Sequence, residues 1–293
     1  MSAVTGADRQ DRTLSAGYMA WYRFTRNPAA LIGAFIVVSV ILLAIFAPLI
    51  VPFPDDVGSK VNFRARHMPP DWMHWMGTDK VGRDILTRVI FGFRVSLLLV
   101  VGVLGVAVPV GATLGMLAGY FGGMVEKVIS GFTNVMLAIP PLVMALAIGN
   151  VLEPNLVNAM LAITFLWWTW HARLVYRISK TIAAEDYIEA ARLAGATHWH
   201  ILSREILPNC VSVISVKTTL DAAFVILFGA TLSFLGLGVK PPTPDLGTMV
   251  ADGRQFLPEM WWGVLGPGFA IFYATLGFNL LGDGLRDMFD VEV

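Results

Sequence analysis

Residues Glu189–Pro208 read EAARLAGATHWHILSREILP and stand between two long apolar segments. Asp186 to Leu193 is filled with helix formers (Glu, Ala, Arg, Leu) and has few breakers, so a helix is expected there. Gly195 accepts φ > 0 without a Cβ clash and ends that helix. A second helical run is expected from His198 to Ile206. It should stop before Pro208, which lacks the N–H a helix interior needs. The product is a helix–turn–helix elbow with Ala190, Ala191 and Gly195 at its tip. Small residues at a tip let another protein surface approach the backbone closely. The plainer reading is a polar loop joining two membrane spans, with Gly195 as an ordinary C-cap.

The segments around the elbow set the class. The chain has 293 residues, 56% of them hydrophobic and 14% charged, with mean hydropathy +0.67. Soluble domains carry about 25% charged residues, so this chain cannot hide its apolar surface from water and must be a membrane protein. Zero net charge argues against a nucleic-acid partner. The single cysteine, Cys210, excludes an internal disulfide and a cysteine-based metal cage. The polar, Arg-bearing start does not read as a cleavable signal.

A spanning helix needs about 20 apolar residues. Asn27–Pro54, Val95–Val125, Val128–Leu152 and Pro154–Ala172 are free of Asp, Glu, Lys and Arg, as are Ala222–Val239 and Met260–Gly282. The fifth run is expected to start near Val211 and to include Lys217 and Asp221. The expectation is an all-α polytopic membrane protein with six transmembrane helices. Its parts are an N-terminal segment 1–28, a first helix and loop 29–94, a five-helix core 95–284 that contains the loop 174–208, and a tail 285–293. With the N-terminus inside, eleven Lys and Arg lie inside and nine outside, a weak bias under the positive-inside rule.

Three further segments have patterns of their own. Gly77-Thr78-Asp79 with Gly82-Arg83-Asp84 gives GTDKVGRD before the second run. Leu137-Ala138-Ile139-Pro140-Pro141 lies within the third, and Ser233–Gly238, SFLGLG, ends the fifth before Lys240-Pro241-Pro242. Together with the elbow's Glu189-Ala190-Ala191, Gly195 and Leu207-Pro208, they resemble the C-type permease subunits of dipeptide, oligopeptide and nickel ABC importers, over nearly the whole chain. Departures from that pattern are Asn134, Gly229, Leu246 and the polar Glu205. The resemblance implies a type I importer fold and a solute pump whose ATPase is another chain. The elbow (Glu189, Ala190, Ala191, Gly195, Leu207, Pro208) would then dock on the motor. The implied partners are a homologous second permease, two cytoplasmic ATPases carrying ATP and Mg, an extracytoplasmic solute-binding protein and membrane lipid. The resemblance also implies a multi-pass place in the inner membrane with both termini cytoplasmic. It leaves peptides, opines, glutathione and nickel chelates open as solutes.

The same segments have local readings. Thr78 and Asp79 can cap a helix that begins near Lys80 and slides along the membrane surface through Ile85, Leu86, Val89, Ile90 and Phe93. Gly77, Asp79, Gly82, Arg83 and Asp84 then form either an outer scaffold or a solute contact. Gly236 and Gly238 read equally as a helix terminator and as a gate. Pro140 and Pro141 must break the third span, as a packing kink or as part of a pathway with Asn134. Gly111, Gly115 and Gly119 form a small packing face. Lys217 and Asp221, four apart, are each other's expected partner, either lining a pathway or with Lys217 snorkelling to the surface. His171 falls in an interfacial aromatic belt with Trp167, Trp168 and Trp170. The histidine spacings fit no metal site. GxxxxGK[ST], HExxH and GxSxG are all absent, which argues against an ATPase or an intramembrane hydrolase on this chain. A channel or secondary transporter is the remaining rival, and it gives the elbow no task.

Overall fold

The computed structural model describes residues 16 to 289; the first 15 residues of the expected segment 1–28 and the last four of the tail lie outside them. The described residues form ten longer helices, with His198–Phe234 taken as one, three short 3-10 turns and no strand. A short α1 (Ala16–Arg26) leads into α2 (Pro28–Ile50). An irregular stretch follows, and then α3 (Ile85–Phe121), of 37 residues. Next come α4 (Gly123–Leu137), α5 (Pro141–Val151), α6 (Leu156–Ala183) and α7 (Asp186–Leu193). A second 37-residue helix, α8, runs from His198 to Phe234. It is followed by α9 (Leu246–Gly253) and α10 (Trp262–Phe289).

α3 is central and packs most extensively on α6. The glycines at 111, 115 and 119 make this possible. A Cβ on Gly111 would meet His171 Cβ at 2.7 Å, one on Gly115 would meet Tyr176 N at 2.9 Å, and one on Gly119 would meet Ser179 Cβ at 2.7 Å. The small face expected from their spacing is therefore a packing face. The core around it joins Val103 and Ala107 of α3, Ile163 and Trp167 of α6, and Val225 and Ile226 of α8.

Two tethers define the faces of the bundle. Asn27 caps α2 through Ala29 N and Ala30 N, and its amide also donates to Asp287 near the end of α10 at 2.7 Å. At the opposite end of α10, Trp262 Nε1 donates to Thr78 O at 3.4 Å. One face thus holds residues 51–84 and α9. The other holds the ends of α2 and α10 and the elbow.

Four helices (α2, α3, α8 and α10) are long and apolar enough to cross a membrane, and a fifth crossing counts if α4 and α5 form one span bent by 84°. The break lies where Pro140 and Pro141 were expected to put it: Pro140 precedes α5 and Pro141 occupies its first turn. α6 has the length for a sixth, but Trp167, Trp168, Trp170, His171 and Arg173 dilute its apolar run. Length and composition alone therefore do not give six. Element bounds moved as well. α3 begins ten residues before Val95, and α8 begins at His198 rather than near Val211.

Candidate functional site

The elbow is built as expected up to Gly195. Ala196 N–H donates to Ala191 O and Gly195 N–H to Arg192 O, each at 3.0 Å, with Gly195 at φ +85°. This is a Schellman turn, in which two carbonyls left over at the helix end find donors and the turning residue must be left-handed. Thr197 then caps α8 by accepting from His200 N.

Beyond that point the expectation fails. The helix does not stop before Pro208. Ile201–Ile206 is a π-helical stretch, and Leu207 N–H donates five residues back to Leu202 O. Pro208 then falls in the first turn of the α-helical part, where a missing N–H leaves nothing unpaired. A local widening has carried the helix past its proline.

An apolar cluster holds the elbow to the bundle. Ile188, Ile201, Ile206 and Cys210 are fully buried against Tyr120 of α3 and Val175 of α6. Each isoleucine contributes roughly 2 kcal/mol by leaving water. Tyr120 OH and His198 Nδ1 are 2.8 Å apart, and the Arg192 guanidinium lies 4.9 Å over the Tyr120 ring. Glu189, Ala190, Gly195 and Pro208 are exposed; Ala191 and Leu207 are half-buried. The sequence reading did not single out what else faces outward. Leu193 is 84% exposed and Trp199 76%, with Tyr187 at 45%. These three make an apolar tip on a rigid mount. Burial, with Glu205 and Glu185 nearby, pushes the Tyr187 phenol above its ordinary range.

On the opposite face, residues 51–84 fold onto themselves through polar contacts. Asp79 accepts from Val81 N, Arg83 N and Arg83 Nε at 2.8–2.9 Å. Thr78 donates to Ala65 O at 2.5 Å and accepts from Met68 N at 2.8 Å. Gly77 and Gly82 turn at φ +70° and +83°, and a Cβ on Gly82 would strike the Asn62 carbonyl. The helix cap is Asp84, not Thr78 or Asp79. Asp84 accepts from Thr87 N at 2.7 Å and from His74 Nδ1 at 2.9 Å, and its own N–H donates to Asp56 at 2.9 Å. The surface helix from Lys80 does not form. Ile85, Val89, Ile90 and Phe93 are buried in the first turns of α3, so the apolar residues face the bundle rather than lipid. The hydrogen bonds of Asp79 and Asp84 therefore stay within this segment and the start of α3. Arg88 was missed. It is buried and donates to Asp56 O at 3.1 Å and to Pro242 O at 3.2 Å, pinning this segment to the loop after α8.

SFLGLG is also a Schellman turn. Leu237 N–H donates to Leu232 O at 2.9 Å and Gly236 N–H to Ser233 O at 3.0 Å, with Gly236 at φ +86°. Gly238 lies against Ser233, leaving no room for a Cβ. Nearby, Asp245 caps α9 through Thr248 N and Oγ1, both at 2.9 Å. Burial pushes its carboxyl above the ordinary range, against those hydrogen bonds.

Inside the bundle, Lys217 and Asp221 form the expected ion pair. Asp221 is nearly fully buried, while the Lys217 side chain keeps 23% of its surface. His171 joins them. It is fully buried, with Nε2 3.5 Å from Asp221 Oδ2, and so sits in the interior rather than in an interfacial belt. Gly111 gives it room. Asn134 stands apart on α4, where it accepts from Arg173 at 3.4 Å. The structure therefore brings together three groups: the elbow residues, Gly77 to Asp84, and Lys217 with Asp221. Pro140, Pro141 and Asn134 join none of them. Among the described residues, no three His, Cys, Asp or Glu side chains are placed to hold a metal.

Comparison with known proteins follows the same lines. Residues 111–293 match the family of binding-protein-dependent transport system inner membrane components, and residues 15–70 match the N-terminal TM domain of oligopeptide transport permease C. A probable D,D-dipeptide transport system permease protein of Escherichia coli is 36% identical over 99% of this chain and 97% of its own length. A dipeptide transport system permease protein of Alkalihalophilus pseudofirmus is 40% identical over 94% of this chain and 89% of its own. A glutathione transport system permease protein of Pectobacterium atrosepticum is 36% identical over 93% and 90%. With its all-helical fold, its apolar spans and its elbow, the chain belongs to the binding-protein-dependent transport system inner membrane components, the permease subunits of ABC importers.

Proposed function

We propose that this permease carries small peptides or a closely related solute, and that its exposed elbow couples the bundle to a cytoplasmic ATPase. The observation that carries the reading is the elbow's construction: a rigid mount of buried isoleucines under an exposed tip of Leu193, Trp199 and Tyr187. Apolar and aromatic side chains held out on a fixed support are what a docking partner's pocket can grip. Glu189, Ala190 and Ala191 flank them and allow close approach. On this reading the elbow face is cytoplasmic, both termini lie there, and α6 makes the sixth crossing. The full assembly adds a homologous second permease, a second ATPase and a solute-binding protein docked on the opposite face. ATP and Mg belong to the ATPases. Lys217, Asp221, Asn134, the Pro140–Pro141 break and the glycines at 236 and 238 are the candidate pathway and gate residues.

Coupling follows if the motor grips the elbow differently in its two states, since only a differential interaction can shift a conformational equilibrium. The relatives named for dipeptides motivate the peptide assignment.

The test is reconstitution. The chain alone should hydrolyse no ATP and concentrate no solute. With its partner permease, ATPases and binding protein, it should show ATP hydrolysis that rises on adding binding protein loaded with dipeptide. Uptake by this chain alone under an ion gradient would replace the reading with a secondary transporter. Orientation is tested separately. Cys210 is buried, and thiols placed at the exposed positions Asp186 and Thr243 should react from opposite sides of the membrane. Asp245, the more obvious site in the sequence, is too buried to label. Reaction of both thiols from one side would refute the six-crossing arrangement.

A further inference from the structure

Two cavities lie along the α3–α6 pair on the side of α4 and α5, and their linings differ. The one nearer the elbow face is polar. Arg173 and Arg177 stand one turn apart on α6, facing Asn134, Ser130 and Thr133 of α4. Neither arginine has an acidic partner among the described residues; Arg173 reaches only Asn134 Oδ1, at 3.4 Å. The nearby acid, Glu126, is already engaged by Lys180 and Tyr176. Thr133 is 4% exposed, and its hydroxyl has no hydrogen-bond partner. This end therefore offers two uncompensated cations and an orphaned buried hydroxyl, the complement of an anion with several acceptor oxygens.

The second cavity, farther from the elbow face, is apolar. Leu161, Phe165 and Trp168 of α6 line it together with Val106 and Val110 of α3 and Ile148 of α5. Trp168 stacks on Phe132 at 5.9 Å, one residue from Thr133, so the Phe132–Trp168 pair lies beside both parts. From Leu161 to Arg177 the helix rises roughly 24 Å. One leaflet with its headgroup layer measures about 20–22 Å. The order along α6, cations and hydroxyl near the aqueous end and an apolar trough toward the middle, is the order of groups in a phospholipid.

We propose that the two cavities together seat an anionic phospholipid of the leaflet on the elbow side. Its phosphate lies between Arg173 and Arg177, and one acyl chain runs over the Phe132–Trp168 pair into the apolar trough. Basic pockets between spanning helices recognise phospholipid headgroups in this way. The inference needs only that the chain spans a membrane and does not depend on which solute is carried.

The test uses the full-length chain in detergent, followed by native mass spectrometry. Phosphatidylglycerol, phosphatidylcholine with the same acyl chains, and inorganic phosphate are titrated separately. Wild type should retain phosphatidylglycerol over phosphatidylcholine by on the order of tenfold and should show no phosphate adduct, because phosphate lacks the chain. Arg173→Gln with Arg177→Gln should remove the preference, and the corresponding double Lys variant should keep most of it. Trp168→Ala should weaken both lipids and leave the preference intact. Equal retention by wild type and the Gln variant would overturn the site. Displacement of phosphatidylglycerol by a dipeptide with a free carboxylate would assign the arginines to the solute instead, and would also overturn it. If the Gln variant does not elute as a monodisperse species, wild type still decides. A photoactivatable phosphatidylglycerol should crosslink to peptides of α4 or α6, and crosslinks confined to other helices would refute the proposal.

Discussion

The two faces of the bundle hold irregular chain in opposite ways. Residues 51–84 are locked by short polar contacts, with Asp56, Asp84 and Arg88 buried among their partners. No buried side-chain nitrogen or oxygen of these described residues lacks a hydrogen-bond partner. The elbow has few such contacts. An apolar cluster grips it from beneath, and its own apolar tip is left uncovered. The polar groups of residues 51–84 are matched internally, yet Phe63, Trp72 and Trp75 are 71%, 83% and 71% exposed, so this face too presents apolar side chains that a partner can cover. A segment that is firmly mounted but leaves a tryptophan and a leucine in the open is complete only when something covers them.

This contrast can be broken most decisively at the elbow tip. Replacing Leu193 and Trp199 together by Asp should leave thermal stability unchanged, because both side chains are exposed. It should weaken association with the ATPase by at least about a hundredfold, at roughly 2 kcal/mol per lost anchor. A pull-down with unaltered affinity would show that the tip is not the docking surface. Next in size is the segment 51–84. Asp84→Ala strands the Thr87 N–H and the His74 ring and should cost about 3 kcal/mol, read as a clear drop in the melting temperature in detergent. Coupling per surviving molecule should be normal. Unchanged melting with lost uptake would move this segment from scaffold to solute contact.

A smaller effect sharpens the elbow's geometry. Gly195→Val forces a β-branched residue into the left-handed region, at a cost of about 1–2 kcal/mol, although no atom lies in its way. Gly195→Asn tolerates that conformation while adding bulk. Uptake lost in both variants points to close approach by the motor. Loss in Val alone points to the turn. The smallest effect should be at Lys60, whose pairs with Asp55 and Asp56 are half in solvent. Lys60→Ala should change stability by less than about 0.5 kcal/mol, and a larger loss would mean that the outer lock extends farther than its buried acids.

The sequence announces features that depend on one residue's own backbone. Gly195 and Gly236 ended helices as their type predicts, and the Pro140–Pro141 pair broke a span. Gly111, Gly115 and Gly119 also read correctly, because a four-residue spacing fixes one helix face. What stayed hidden depends on distant partners. Asp84 outcompeted Thr78 and Asp79 as the cap because His74 and Asp56, 10 and 28 residues away, converge on it. His171 looked interfacial among tryptophans until α8 brought Asp221 beside it. Pro208 was taken as a terminator, since a local rule cannot foresee that a widened turn upstream will absorb the missing N–H. The exposure of Leu193 and Trp199 was invisible for the same reason. Apolar residues are expected inside unless the packed structure shows that every inner position is already filled.

The π-helical stretch has a mechanical consequence. Because it lets the backbone pass Pro208 unbroken, α8 is a single shaft from Trp199 at the elbow to the Schellman turn at Gly236. That shaft is roughly 50 Å long, more than the full thickness of a bilayer with its headgroups. Pivoted near its middle, it needs a tilt of only about five degrees to carry each end through roughly 2 Å. The pivot region is where Asp221 and His171 lie. Tilted as one body, α8 would carry a displacement at one surface to the other with equal size and opposite sense. A conventional proline break at position 208 would have put a joint at the handle and let that stroke dissipate.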